Sequence, residues 1–183
     1  MKNNLILLLF VILSFSGKAQ IYNEKDSTYY VDSNFKEKYS GVYIHYFPNT
    51  SVVECKLTLE KGKNEGECIV YHQNGQIFRK GIYVNGKWHG DLSEFHPNGQ
   101  LAKKVTYTNG IPNGELYIYH ESGYLQGKTY YINGELQGNW YQYHPNGSIM
   151  GQGQYHQGKI HGETIWYDPN GKVSNFYAIP LKW

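Results

Sequence analysis

A 24-residue period, in phase from residue 66 onward, constrains this chain more than any other feature. A leading glycine recurs at 24-residue steps, with an aromatic residue five positions later and a turn glycine nine positions later. The leading glycines are Gly66, Gly90, Gly114, Gly138 and Gly162, and the turn glycines are Gly75, Gly99, Gly123, Gly147 and Gly171. The first aromatic column is Tyr71, Phe95, Tyr119, Tyr143 and Tyr167; the second is Tyr83, Tyr107, Tyr131 and Tyr155. Such self-similarity predicts a repeat architecture in which each unit packs on its neighbours.

Each unit has room for one β-hairpin. Two glycine turns per period leave two runs of about seven residues, enough for a strand each and too short for a βαβ crossover. The 21 glycines and 19 tyrosines favour turns and aromatic-rich strands over helices. We therefore predict an all-β fold: an elongated, single-layer antiparallel sheet built from tandem 24-residue hairpins.

The sequence His-Pro-Asn-Gly at residues 96–99 and 144–147 predicts the turn inside each hairpin. Proline presets φ for the first turn position, asparagine tolerates the next, and glycine accepts the left-handed conformation that starts the second strand. We interpret the motif as a folding signal and expect positive φ at Gly99 and Gly147.

Simple alternation along the strands predicts which residues share a face. It places both aromatic columns on one face, so all nine residues of the two columns are candidate binding residues. The opposite face would hold scattered Leu and Trp residues with the polar residues Lys80, Glu94, Lys104, Lys128, Gln142 and Gln152.

The first 19 residues resemble a secretory signal peptide. Lys2 is followed by an apolar run at 5–15 and a small-x-small site that ends at Ala19. An uncleaved N-terminal anchor is the alternative.

We expect a lead-in segment at 20–40 and a repeat domain at 41–183, whose first unit, 41–65, is degenerate. The mature chain would be periplasmic, on the cell surface or secreted, with no transmembrane segment.

Export also changes the charge. Removing Lys2 and Lys18 leaves 15 basic residues against 15 acidic ones. A neutral chain without a block of Lys or Arg argues against nucleic acid or an anionic membrane as a partner.

The repeated segments at 83–90, 107–114 and 155–162, together with the Tyr-His-x-Asn-Gly type of turn, resemble the MORN repeat, in the bacterial variant found in the YwqK-type antitoxin family. The resemblance covers roughly residues 41–177. It implies an elongated sheet of hairpins used for association or scaffolding, and an antitoxin function for the bacterial group. A signal peptide fits poorly with an antitoxin that neutralises a cytosolic toxin.

Catalytic and metal-binding functions are not favoured. The histidines His72, His96, His120 and His144 would lie two strands apart, about 9–10 Å, whereas metal ligands converge to about 2 Å from one ion. His156 and His161 lie across one turn and are the remaining candidate pair. Nucleophile-elbow, phosphate-loop and His-Glu-x-x-His motifs are absent from the sequence. We expect no cofactor, no metal and no enzymatic activity.

Two functional hypotheses remain. The first is an interaction module that binds an unidentified protein along its extended face. The second is a carbohydrate-binding surface, because Tyr and Trp rings stack on sugars, and Trp88, Trp140 and Trp166 would add to the tyrosine columns. The alternative for any single tyrosine is that it only covers the sheet.

Cys55 and Cys68 are the two cysteines of the chain. Counting outward from the turn between them places them on adjacent strands at nearly opposing positions, within disulfide reach. An exported location favours oxidation. A register slip in the degenerate unit would separate them, so a disulfide and two free thiols are both open.

Overall fold

The computed structural model describes residues 12–13, 19–23, 27–31 and 36–179, and in these ranges the chain forms strands and turns without a helix. The strands are β1 (Ile12–Leu13), β2 (Ala19–Asn23), β3 (Thr28–Tyr30), β4 (Gly41–Tyr46), β5 (Val53–Glu60), β6 (Lys63–Tyr71), β7 (Ile77–Val84), β8 (Lys87–Phe95), β9 (Leu101–Thr108), β10 (Ile111–Tyr119), β11 (Leu125–Ile132), β12 (Glu135–Tyr143), β13 (Ile149–His156), β14 (Lys159–Tyr167) and β15 (Val173–Ile179). The described residues therefore offer no helix that could cross a membrane.

Strands β4 to β15 form one open antiparallel sheet of 12 strands, each paired with its neighbours in sequence. The predicted fold class is confirmed. Strands β1 to β3 form a separate three-stranded sheet. Most of the predicted signal peptide, 1–19, lies outside the described residues, apart from Ile12–Leu13 and Ala19, and its cleavage stays a prediction.

Two turn types alternate along the sheet. In the His-Pro-Asn-Gly turn, the His96 N–H donates to the Gln100 carbonyl at 2.8 Å, and the Gly99 N–H donates to the His96 carbonyl at 2.8 Å. Gly99 has φ 83° and Gly147 φ 82°, so the predicted turn geometry is confirmed. The turn between units has two residues with positive φ, as at Asn85 (52°) and Gly86 (72°), which is the primed turn that matches strand twist.

A bulge after each His-Pro-Asn-Gly type of turn overturns the predicted faces. Tyr71 pairs with Ile77 but Val70 pairs with Arg79, so Phe78 is an extra residue on the second strand. The same shift follows Phe95, Tyr119, Tyr143 and Tyr167. One extra residue reverses the alternation for the rest of the strand, and every later side chain changes face.

The two aromatic columns therefore lie on opposite faces. Lys80 pairs with Ile69 and shares the face of Tyr71, whereas Tyr83 pairs with Gly66 and shares the face of Cys68. The placement of Lys80, Lys104, Lys128 and Gln152 opposite the first column was wrong, as was the grouping of both columns. We call the face of the first aromatic column the open face and the other the core face.

The core face holds the most buried side chains of the sheet. Five of them occupy the second position after each leading glycine: Cys68, Leu92, Leu116, Trp140 and Thr164. Val105, only 2% exposed, pairs with both Leu92 and Leu116. The Leu and Trp residues that we expected to be scattered on a polar face therefore form the hydrophobic core of the sheet.

Large rings lie over glycines on the core face. Tyr83 and Trp88 stack with ring centroids 3.8 Å apart, beside Gly81. A Cβ on Gly81 would lie 2.7 Å from the Leu92 side chain and 2.9 Å from the Trp88 ring. A central-strand glycine without side chain lets neighbouring rings fold down onto the backbone. The single layer thereby buries apolar surface without a second sheet.

The lead-in segment covers the core face at the first hairpin. Tyr39, Tyr43 and Leu59 form a buried cluster against which Tyr29 packs. The Tyr29 N–H donates to the Gly62 carbonyl at 2.9 Å, and the Gly62 N–H donates to the Tyr39 carbonyl at 2.6 Å. Burial raises the pKa of Tyr43 to about 12, so its hydroxyl stays protonated at neutral pH. The lead-in segment thus covers the core face of the degenerate first unit.

Candidate functional site

Three parallel rows of side chains run across the open face, because each 24-residue unit repeats the same pattern. The first is acidic in its early units, with Glu67, Asp91, Glu115, then Asn139 and Glu163; the second is basic, with Lys80, Lys104, Lys128, then Gln152; the third is the first aromatic column. Paired residues confirm that these rows share a face, since Ser93 pairs with Lys104 and Asp91 pairs with Thr106.

Charged and aromatic side chains contact one another on the open face. Lys104 Nζ lies 2.7 Å from an Asp91 carboxylate oxygen. Hydrogen bonds from Lys104 and Thr106 lower the pKa of Asp91, and the same contact with Asp91 raises the pKa of Lys104. Lys80 Nζ lies 5.6 Å from the Phe95 ring centroid, within cation–π range. The rows therefore form a mixed polar and aromatic surface.

The rings of the first column are half-buried, and two of them contact a ring of their own strand. Tyr117 and Tyr119 are stacked at 6.4 Å, and Tyr141 and Tyr143 at 6.5 Å. The Tyr117 hydroxyl donates to Glu115 at 2.7 Å, which raises the pKa of that phenol. These residues keep their place as candidate binding residues.

The second aromatic column packs in the core. Tyr107 and Tyr131 contact the cluster of Leu92, Val105 and Leu116. Tyr155 lies 6.4 Å from Trp140, a side chain that is only 6% exposed. The four residues Tyr83, Tyr107, Tyr131 and Tyr155 therefore do not join the first column in one surface.

The tryptophans expected to support sugar binding are also on the core face. The Trp166 ring would meet a Cβ on Gly151 at 2.7 Å, and the Trp140 indole nitrogen would meet one on Gly153 at 2.8 Å. Trp88 packs against the Leu92 cluster. All three rings pack over glycines or core residues, and this packing accounts for their presence.

The turn histidines form a connection between units that sequence reasoning missed. In three of them Nε2 lies against the carbonyl of the aromatic residue 23 positions later: His72 with Phe95 at 2.9 Å, His96 with Tyr119 at 3.0 Å and His144 with Tyr167 at 3.0 Å. The fourth, His120, contacts the Ser122 hydroxyl of its own turn through Nδ1. A carbonyl only accepts, so Nε2 of the first three carries the proton. The turn asparagines repeat this connection, as Asn74 Nδ2 donates to the Pro97 carbonyl at 2.8 Å and Asn98 Nδ2 to the Glu121 carbonyl at 2.7 Å.

These contacts assign the His-Pro-Asn-Gly motif a second structural role. The turn asparagine also accepts from the backbone, since the Gln100 N–H donates to Asn98 Oδ1 at 3.0 Å. One residue thus closes its own turn and binds the next. The recurrence of His and Asn at fixed positions in successive units was the signal available in the sequence.

Among the described residues, no group of three or more His, Cys, Asp and Glu side chains converges on a common point where a metal ion could bind. The ring centroids of His156 and His161 lie 5.5 Å apart.

The two cysteines are free thiols on adjacent strands. Leu59 pairs with Asn64, but Leu57 pairs with Cys68 and Cys55 pairs with Val70, so two extra residues on β6 move Cys68 away from Cys55. The pair is diagonal, about 7–8 Å apart, outside the usual disulfide distance. The predicted, nearly opposing placement was wrong, and of the two outcomes that the sequence left open the structure shows the free thiols. Burial raises the pKa of each thiol to about 11, which leaves both protonated and weakly nucleophilic at neutral pH.

Comparison with known families agrees with this architecture. The family described as the MORN repeat variant matches residues 64–85, 88–109, 136–157 and 160–175. The first three matches each cover two successive strands and the His-Pro-Asn-Gly type of turn that joins them, and the fourth covers β14, its turn and the start of β15. The intervening segment, 112–133, keeps the same hairpin pairing although it is not among the matches. The chain therefore carries at least four MORN-variant repeats. No curated protein matches the chain.

Two solved structures are similar over most of this chain. One is an S. aureus TarM mutant in complex with Fondaparinux, alpha-GlcNAc-glycerol and UDP, at 12% identity and a TM-score of 0.32, covering 72% of this chain and 20% of that one. The other is the GtfA/B complex bound to UDP and GlcNAc, at 12% identity and a TM-score of 0.23, covering 74% of this chain and 26% of that one. This chain thus spans 20% and 26% of their lengths, and likeness at this level does not bear on its function.

Proposed function

We propose that this protein is a non-enzymatic interaction module that binds another protein through its open face. One observation carries the proposal: the open face extends across the strands from β4 to β15, and in the described part of the chain no second layer covers it. It displays apolar side chains in water: Ile82 on β7 is 52% exposed, and Tyr130 on β11 and Phe176 on β15 are exposed on the same face, each four strands further along the sheet. Repeat arrays commonly use such extended surfaces for binding.

We propose a non-enzymatic role because the thiols stay protonated at neutral pH and the turn histidines are already hydrogen-bonded. The thiols of Cys55 and Cys68 have raised pKa values, and the Nε2 atoms of His72, His96 and His144 are hydrogen-bonded to backbone carbonyls. A nucleophile needs a lowered pKa or an adjacent base.

The signal-like segment at 1–19 supports an envelope location, periplasmic, surface-exposed or secreted. The same segment disfavours the antitoxin role that the YwqK-type resemblance implies for a cytosolic toxin. The function we favour is binding of another protein in the cell envelope.

A photo-crosslinking experiment tests this assignment. The photoreactive residue benzoylphenylalanine replaces Ile82 on the open face or Ile118 on the core face, which is the matched control because it is 40% exposed on the same sheet. Both variants are irradiated with an envelope fraction. We expect a discrete crosslinked protein from position 82 and none from position 118. Equal crosslinking from both positions, or none from position 82, would contradict an open-face binding surface.

A further inference from the structure

The repeat supplies an internal comparison for every position of the open face. In the earlier units the acidic row holds Glu67, Asp91 and Glu115, and the basic row holds Lys80, Lys104 and Lys128. In the unit that begins at Gly138, Asn139 and Gln152 take these two places. A third amide, Gln154, stands where Ile82, Thr106 and Tyr130 stand in the other units. Neither a turn nor the buried core requires these three changes.

The three amides meet at one place on the sheet. Asn139 on β12 pairs with Gln154 on β13, and Gln152 pairs with Tyr141 on one side and Ile165 on the other. They line a depression of about 350 Å³ together with Gly153 and Glu163. Among the described residues that line it, Glu163 alone is charged. We call this site the amide depression.

The amides there leave hydrogen-bonding groups free for a ligand. Where Asp91 and Lys104 neutralise each other at 2.7 Å, the equivalent Asn139 and Gln152 offer uncharged donors and acceptors. The Gln152 amide donates to the Tyr167 hydroxyl at 2.7 Å, which fixes its orientation and leaves its carbonyl as an acceptor. Asn139 is within 3.4 Å of the Tyr141 hydroxyl.

An aromatic ring completes the site. Tyr141 is half-buried, and Lys128, which lies 5.1 Å from its ring centroid, belongs to β11, on the far side of β12 from the depression. A ligand in the depression therefore meets the phenol, three amides and one carboxylate. A neutral sugar presents hydroxyls that both donate and accept, and C–H groups that pack on a ring.

From this arrangement we propose that the amide depression binds a neutral saccharide. A peptide would use exposed backbone edges or apolar pockets, and an anionic ligand would require a cation that the lining does not provide. The inference concerns one local site and stands apart from the protein-binding role of the whole open face, so failure of either leaves the other in place.

Calorimetric titration of the full chain with chitohexaose, cellohexaose, maltohexaose and mannohexaose tests the proposal. We expect at least one of these neutral sugars to bind with a Kd on the order of 1 mM or tighter. The double variant Asn139→Glu/Gln152→Lys, which restores the residue types at Glu115 and Lys128, should fold normally and weaken binding by at least about tenfold, or 1.4 kcal/mol.

The matched control is Asp91→Asn/Lys104→Gln, which makes the opposite exchange two units earlier and should leave affinity unchanged. Thermal melting of all three proteins checks that they are folded. The proposal is overturned if no neutral sugar binds below about 10 mM, or if the double variant binds as the wild type does. It is equally overturned if the anionic sugar hexagalacturonate binds in preference to all four neutral ones.

Discussion

The core face and the open face belong to the same strands and the same 24-residue repeat. Yet the core face buries apolar side chains, whereas the open face exposes charged and aromatic ones. On the core face, Leu92 and Leu116 lie beneath neighbouring rings, and glycines such as Gly81 make room for those rings. On the open face, Asp91 and Lys104 form an ion pair in water. The difference teaches that a single-layer sheet can supply a core from one side and leave the other side exposed.

The largest expected effect comes from removing core-face volume. Leu116→Ala should lower the free energy of unfolding by about 2–4 kcal/mol, because it leaves a cavity beside Val105 and Leu92. The open-face neighbour Tyr117→Ala is the matched control and should cost less than about 1 kcal/mol. Urea denaturation midpoints measure both, and equal losses would contradict the assignment of faces.

Adding volume under a core-face ring should have the next largest effect. A Cβ on Gly151 would lie 2.7 Å from the Trp166 ring, so Gly151→Ala should cost about 1–3 kcal/mol. In a double-mutant cycle with Trp166→Leu, the loss caused by Gly151→Ala should shrink, since the obstructing ring is gone. Strictly additive losses in the cycle would mean that the ring does not lie over this glycine.

The turn glycines test backbone conformation without packing. Gly147 has φ 82° and nothing within 4 Å of a Cβ, so the cost of Gly147→Val, at least about 1 kcal/mol, would be conformational strain alone. Gly147→Asn should cost less, because asparagine tolerates the left-handed region. Melting temperatures rank the three proteins, and a valine variant as stable as the wild type would show that the turn type is wrong.

The smallest effect is expected at the hydrogen bonds that join the turns of successive units. Asn98→Asp keeps the acceptor for the Gln100 N–H but removes the donor to the Glu121 carbonyl, and should cost about 0.5–1 kcal/mol. Asn98→Ala removes both bonds and should cost more. Chemical denaturation measures the free energy of unfolding of both variants. If Asn98→Asp is as stable as the wild type, the hydrogen bond between units does not stabilise the protein.

The fold and the turns could be predicted from the sequence because their determinants are local. Gly99 and Gly147 mark positions that need a left-handed backbone, and the 24-residue period fixes strand number and order. Both features are read directly from residue identity and spacing.

The faces could not be predicted because the bulge leaves no common residue type. Its extra position is filled by Phe78, Ala102, Gln126, Met150 and Ser174 in successive units. Counting alternate residues along the strand ignores the extra residue and so assigns every later side chain of that strand to the wrong face. A different shift, of two residues on β6, moved Cys68 from Cys55 to Leu57 without changing its face. Glycines in the middle of β7 and β13, where rings needed space, were the one available clue.

The candidate site was predicted in part. The first aromatic column does stand on the uncovered face, but its companions there are the charged rows rather than the second column. The amide depression was missed because Asn139, Gln152 and Gln154 come together only in the bulged register.

The register after the bulge is the central claim, and cross-strand disulfides test it most directly. The bulge pairs Ser93 with Lys104, whereas uninterrupted alternation from the pair Phe95 and Leu101 would place Ser93 opposite Lys103. Two double-cysteine variants, Ser93→Cys/Lys104→Cys and Ser93→Cys/Lys103→Cys, are oxidised in air and their linked peptides identified by mass spectrometry. We predict a crosslink between positions 93 and 104 and none between 93 and 103, because paired Cα atoms lie about 4.5–5.5 Å apart. A crosslink between 93 and 103 in place of 93 and 104 would contradict the bulge, and with it the separation of the two faces.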